Sequence, residues 1–136
     1  MLTLMSGRRR RVKLVREAAM VTVVIVDDHA GFRAMARALL LDGGFQVVGE
    51  AATGGQALAV VAELAPEVVL LDVRLPDLDG FTVCRTLRDT GSAARVVLCS
   101  IGAGADYGSR VRDCGAAGFL PKAALTADAV RRLCGA

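Results

Sequence analysis

EVVLLDVRLPDLDG, residues 67 to 80, decides the fold. After Glu67, the run Val68 to Leu71 is too short for a helix and rich in Val and Leu, so it reads as a strand buried on both faces. Asp72 ends the run. A carboxylate is costly to bury unless it is paired or metal-bound, so an Asp closing such a strand belongs at its carboxyl end, where open parallel sheets hold ligands. Pro76 and Gly80 mark a turn-rich segment beyond it, Pro presetting φ and Gly relieving backbone crowding. Standing alone, Asp72 would read as an ordinary cap of the next helix.

The same pattern recurs on either side. VTVVIV (21 to 26) is a β-branched strand run followed by Asp27, Asp28 and His29. Residues 30 to 41 carry Phe32, Met35, Ala36, Leu39 and Leu40 at helical spacing, with Arg33 and Arg37 on the other face, until Asp42, Gly43 and Gly44 stop the helix. A second strand follows at 45 to 51, and Thr53 with Gln56 forms a capping-box pattern opening a helix over 54 to 64. Beyond the central strand come a helix over 79 to 89, a strand over 94 to 101 ending near Ser100, a weak helix over 105 to 114 interrupted by Gly108, a fifth strand over 117 to 122, and a last helix over 123 to 134. Strands alternating with helices make an α/β domain with a parallel sheet and right-handed crossovers. The expected architecture is doubly wound and five-stranded, of flavodoxin-like order 2-1-3-4-5, with the loops after strands one, three, four and five gathered at one edge.

Composition narrows the function classes. The chain has 136 residues, 54% apolar and 23% charged, enough for one globular domain with its own core. No window of eighteen apolar residues is free of charge, so a membrane-spanning helix is not expected. Residues 1 to 20 hold six basic side chains against Glu17, a net of +5, which leaves −2 on the rest of a chain whose formal charge is +3. A nucleic-acid-binding surface is therefore not expected on the folded part, residues 21 to 136. The extension 1 to 20 reads as a disordered basic tail or as sequence upstream of a start at Met20. Cys84, Cys99, Cys114 and Cys134 lack CxxC spacing and have one His for company, which argues against zinc and for reduced thiols in a cytoplasmic protein. Cys99 reads as a small core residue and Cys134, near the end, as an exposed thiol.

The predicted edge brings together Asp27, Asp28, Asp72, Ser100 and Lys122. Three neighbouring carboxylates repel one another, a divalent cation relieves that repulsion, and all-oxygen ligands suit Mg2+. A lysine supplies a mobile charge for phosphate oxygens and a serine a hydroxyl donor. Such a set suits in-line phosphoryl transfer onto a carboxylate, a reaction that rests mainly on positioning and charge neutralisation. His29 reads as a solvent-facing residue at a helix start.

VVIVDDHAGFRAMARALL, VVLLDVRLPDLDG, VVLCS and AAGFLPKA together resemble the receiver domain of bacterial two-component response regulators, in the branch commonly fused to helix-turn-helix outputs. The resemblance covers residues 21 to about 134. It implies Asp72 as phosphoacceptor and Mg2+ ligand, Asp28 as a direct Mg2+ ligand, Asp27 as a ligand through water, and the carbonyl of Arg74 as a further ligand. It further implies Lys122 as the phosphate-pairing lysine, Ser100 as switch hydroxyl and Phe119 as the aromatic rotamer switch. Three positions depart from the family pattern: Phe119 lacks a hydroxyl, Ile101 stands where a small residue is common, and Ala123 replaces a proline after Lys122.

The resemblance implies a signalling domain rather than an enzyme, loaded by a sensor histidine kinase and acting on a downstream protein, with a possible homodimer through the face of the fourth helix, fifth strand and fifth helix. Arg74 and Gly102 offer no base to orient water, which favours a long-lived phosphoryl group. Two other readings are a receiver fragment of a DNA-binding regulator and a phosphoaspartyl phosphatase. Phosphatases of that kind carry an Asp two residues after the nucleophile, where this chain has Arg74. Removing residues 1 to 19 is expected to leave both the fold and the loading of Asp72 intact, as read by circular dichroism and by mass after incubation with acetyl phosphate and Mg2+.

Overall fold

The computed structural model describes residues 20–102 and 107–135. The basic extension expected over residues 1 to 20 thus lies, Met20 apart, outside the described residues, as does part of the segment between the fourth strand and the fourth helix.

Five parallel strands form one sheet in the order β2-β1-β3-β4-β5. They are β1 (Thr22–Val26), β2 (Gln46–Ala51), β3 (Val68–Asp72), β4 (Arg95–Ser100) and β5 (Gly118–Pro121). The helices are α1 (Ala30–Asp42), α2 (Gly54–Leu64), α3 (Gly80–Asp89), α4 (Arg110–Asp113) and α5 (Ala127–Cys134). Order and class match the expectation. β3 lies between β1 and β4, and all five of its residues are buried, which is why its sequence shows no polar alternation.

Successive β3 side chains point to opposite faces, and each face has its own core. Val69 and Leu71 pack with Val24, Val26, Ala57, Phe81 and Leu87 beneath α2 and α3. Val68 and Leu70 pack with Ile25, Leu40, Phe45, Val97 and Val130 beneath α1 and α5. All four cysteines are free thiols buried in these cores. Cys134, expected to be exposed, is instead covered because α5 turns its apolar stripe of Ala129, Val130 and Cys134 inward. Burial pushes the Cys84 and Cys99 thiols up to about 12, so both are held as inert thiols.

Local signals account for most helix starts. Thr53 Oγ1 accepts from the Gln56 amide at 3.1 Å, and Gln56 Oε1 reaches back to the Ala52 amide at 2.9 Å, one residue short of a reciprocal capping box. Asp79 accepts from the Thr82 amide at 2.8 Å and starts α3. Two helix boundaries differ from the sequence reading. The last helix begins at Ala127, capped by Thr126, because Lys122–Ala124 forms a 3-10 turn. The fourth helix, expected over 105 to 114, is a single turn from Arg110, with Gly108 at φ +55° just before it. Among the described residues no helix is long and apolar enough to cross a membrane.

Gly80 is the point where α3 approaches the end of β3. Its amide donates to the Val73 carbonyl at 2.6 Å, and a Cβ there would stand 2.5 Å from the Asp72 carbonyl oxygen and 2.9 Å from Val73 Cα. Neither backbone atom can yield without displacing Asp72. Gly80→Ala is expected to cost about 2 kcal/mol of unfolding free energy in urea. Gly31→Ala, where a Cβ meets nothing within 4 Å, should stay within about 1 kcal/mol of wild type on the stabilising side.

Candidate functional site

Each residue at the carboxyl edge owes its position to a strand ending. Asp27 follows β1 and donates its amide to the Ala51 carbonyl of β2 at 3.0 Å, which fixes it beside the sheet. Asp72 is the last residue of β3 and Ser100 of β4, while Lys122 opens the turn directly after β5. Asp27, Asp72 and Ser100 are the buried polar side chains among the described residues, and the sheet's other polar groups reach water.

Lys122 Nζ joins the two buried carboxylates. It lies 2.6 Å from Asp27 Oδ2 and 3.4 Å from Asp72 Oδ2, with its cationic end 4.5 Å above the Phe32 ring. The other Asp72 oxygen accepts from the Arg74 amide at 3.1 Å. Burial raises the pKa of Asp72; the Arg74 amide opposes that shift, the charge of Asp27 adds to it, and Lys122 opposes it again, leaving the net direction upward. For Lys122 burial works against the charge, but Asp27 and Asp72 outweigh it and hold the ammonium above its ordinary pKa.

Asp27, Asp28, His29 and Asp72 each offer a ligand atom, all within 4.8 Å of one another. The side chain of His29 is 68% exposed, yet its Nδ1 stands 3.2 Å from Asp27 Oδ1 and 3.1 Å from Asp28 Oδ1. Its ring is therefore turned onto the acidic pair, although the residue is at the surface as expected. Asp27 Oδ2 is buried, and the Lys122 ammonium at 2.6 Å is its one close polar partner among the described residues. Three carboxylates whose oxygens come within 4.8 Å of one another suit a hard divalent cation.

The loop after β3 is stiffened by its own contacts. The backbones of Arg74 and Asp79 form an isolated antiparallel β-bridge, and Asp77 accepts from the amides of Gly55 at 2.8 Å and Gly54 at 2.7 Å, which hold its carboxyl below the usual range. On the far side, Arg33 donates to the Asp27 carbonyl at 2.6 Å and, with Arg37, clamps Glu50, which lowers the pKa of that carboxyl. Sequence reasoning singled out neither Asp77 nor Glu50. A cleft of about 580 Å³ opens at the carboxyl edge, with Asp28, Asp72, Arg74, Arg110 and Lys122 in its lining. A second cleft of about 650 Å³, near Pro66 and Ala94 at the other end of the sheet, has no charged side chain in its lining and offers no such chemistry.

Residues 23–133 match the family described as Response regulator receiver domain. The chain belongs to the response regulator receiver family. The receiver is 37% identical over 78 residues to the chemotaxis protein CheY of Bacillus subtilis, covering 57% of this chain and 65% of that protein. It is 36% identical over 100 residues to the virulence transcription regulator BvgA of Bordetella pertussis, covering 74% of this chain and 50% of BvgA. A signal receiver domain of the response regulator NarL from Mycobacterium tuberculosis superposes with a TM-score of 0.78 at 38% identity, over 85% of this chain and 97% of that one. The matched region thus spans about half of a regulator such as BvgA.

Within the receiver, Ser100 does not bond to Asp72. Its Oγ lies 2.8 Å from the hydroxyl of Tyr107, a residue the sequence reading passed over inside its weakest helix. Phe119 is half-buried with its ring centroid 5.5 Å from that of Tyr107, and Ile101 is 85% exposed at the rim of the cleft. The one signal for Tyr107 in the sequence was that it is the only tyrosine.

Because its pKa is raised in the folded protein, Asp72 favours folding most at pH values below the ordinary aspartate pKa. That contribution is lost as pH rises through the ordinary value toward the raised one. At neutral pH without divalent cation, Asp72→Asn is expected to be more stable than wild type by about 1 kcal/mol. The gap should narrow on acidification and on adding Mg2+; thermal unfolding in which wild type is the more stable at neutral pH would contradict this account of the site.

Proposed function

We propose that the protein is a phosphoacceptor of a two-component relay, taking a phosphoryl group on Asp72 and changing its affinity for a partner in response. The observation that carries this is the convergence of Asp72 with Asp27 and Asp28 on one side and Lys122 on the other. A carboxylate oxygen of Asp72 would attack phosphorus in line while the donor departs, either as the imidazole of a sensor histidine kinase or as the carboxylate of a small acyl phosphate.

The chain's own groups divide the work. Burial, which keeps Asp72 more basic than usual, also leaves its carboxylate poorly hydrated and so more nucleophilic. The Arg74 amide holds one oxygen and so fixes the direction of the other. Lys122, now paired with both carboxylates, is placed to meet a phosphoryl oxygen without leaving its pocket. Asp28 and Asp27, with the Arg74 carbonyl, would hold Mg2+, which supplies neutralisation of the charge that gathers on the transferring group. Ser100 and Phe119 would report the new charge to the face formed by α4, β5 and α5, where an output protein or a second copy would bind.

A fuller regulator is the second reading, favoured by the match to about half the length of BvgA. In it the receiver would govern a DNA-binding output. Neither Arg74 nor Gly102, both at the cleft, offers a base to activate water, which supports a long-lived phosphoryl group.

Acetyl phosphate with Mg2+ is expected to add one phosphoryl group to wild type and none to Asp72→Asn, as read by intact mass. Chelation of the metal should abolish loading. Loss of the group within seconds of donor removal would refute the long lifetime, and equal loading of Asp72→Asn would refute the acceptor itself.

A further inference from the structure

Ser100 and Tyr107 face each other as two hydroxyls 2.8 Å apart, and either atom can donate in that geometry. Chemistry chooses between them. A phenol is a far stronger acid than an aliphatic alcohol and so the better donor. With Tyr107 O–H donating to Ser100 Oγ, the direction its acidity favours, Ser100 keeps its own hydrogen for another acceptor. Among the described residues, the side chain of Ser100 has Tyr107 as its sole hydrogen-bond partner, although Ser100 is buried. Ser100 lines the same cleft as Asp72 and Lys122, where that O–H has no acceptor of its own among the described residues.

The phenol ring is held from both sides. Its centroid is 5.4 Å from that of Phe81 in an edge-on arrangement and 5.5 Å from that of Phe119. Arg110, the first residue of α4, places its guanidinium 4.1 Å over Phe81. The ring thus packs on α3 and β5, with Arg110 of α4 on the same Phe81, while its hydroxyl touches the site. Phe119 has no hydroxyl to offer Ser100, and Tyr107 brings one from three residues ahead of α4.

We infer that Tyr107 is a positioning residue for the acceptor site, its hydroxyl fixing Ser100 so that the serine O–H is presented to the group carried on Asp72. The inference rests on the phosphoacceptor reading of Asp72. When an anionic oxygen takes the Ser100 hydrogen, electron density on Oγ rises and Oγ becomes a better acceptor, so the bond from Tyr107 strengthens in turn. The charge on Asp72 is thereby felt at an aromatic ring packed against α3 and β5.

The chain carries one tyrosine and no tryptophan, so its tyrosine absorption and emission report on Tyr107 alone. Beryllofluoride with Mg2+, a tetrahedral mimic of a phosphoryl group, is the probe, with binding read independently by fluorine NMR. Wild type should show a red shift of tyrosine absorption on binding. Ser100→Ala should bind with no such shift, and Tyr107→Phe, which keeps the ring packing, should bind two- to tenfold more weakly, the range expected for one hydrogen bond. Binding by wild type with an unchanged tyrosine spectrum, or equal affinity of Tyr107→Phe, would overturn the inference and leave Asp72 as acceptor. Failure of wild type to take either beryllofluoride or the phosphoryl of acetyl phosphate would overturn both.

Discussion

The ion pairs of Lys122 with Asp27 and Asp72 are the constraint on which the rest depends. Two carboxylates buried at the end of a sheet repel each other and lose hydration, and neither loss is recovered by the strands that carry them. The ammonium at 2.6 Å and 3.4 Å offsets part of the cost, and it comes from a turn fifty residues away in sequence from Asp72. Asp28 adds a third carboxylate to the pair, and among the described residues Lys122 is the one Lys or Arg side chain in ion-pair contact with them. That residual negative charge is what a divalent cation would meet, and a phosphoryl group arriving with it would find Lys122 and the Arg74 amide already in place.

The two cores make this geometry rigid. Because β3 is buried on both faces, its end cannot shift without moving α3 on one side and α1 or α5 on the other. Gly80 brings α3 against the backbone of Asp72 and Val73, and Asp77 ties the loop after β3 to the start of α2. The Asp72 carboxyl therefore sits on a fixed support. The other half of the edge differs: Ser100 and Tyr107 lie beside a one-turn α4 that buries none of its own residues. A rigid carboxyl next to a lightly anchored element is the arrangement the proposed switch needs, since a change of charge can then be expressed as movement on one side only.

Much of this was legible in the chain. Short apolar runs ending in Asp27, Asp72 and Ser100 specified buried parallel strands, and their alternation with helical patterns specified the strand order and thus which loops meet. The capping residue Thr53 and the glycines after α1 are local signals, and they marked helix ends to within a few residues. The exposed reading of Cys134 failed because its burial depends on which way α5 faces, and the full-length last helix failed because the turn at Lys122–Ala124 comes first.

The sequence by itself determined the class of fold, the edge at which chemistry collects and the residue types found there, because strand burial and turn chemistry are short-range properties written in neighbouring residues. Only the tertiary structure decided that Lys122 bonds both carboxylates, that the His29 ring turns onto the acidic pair, and that Tyr107 meets Ser100. Those pairings join side chains on different elements whose separation is set by helix packing to within an ångström, and no periodicity along a chain carries that information.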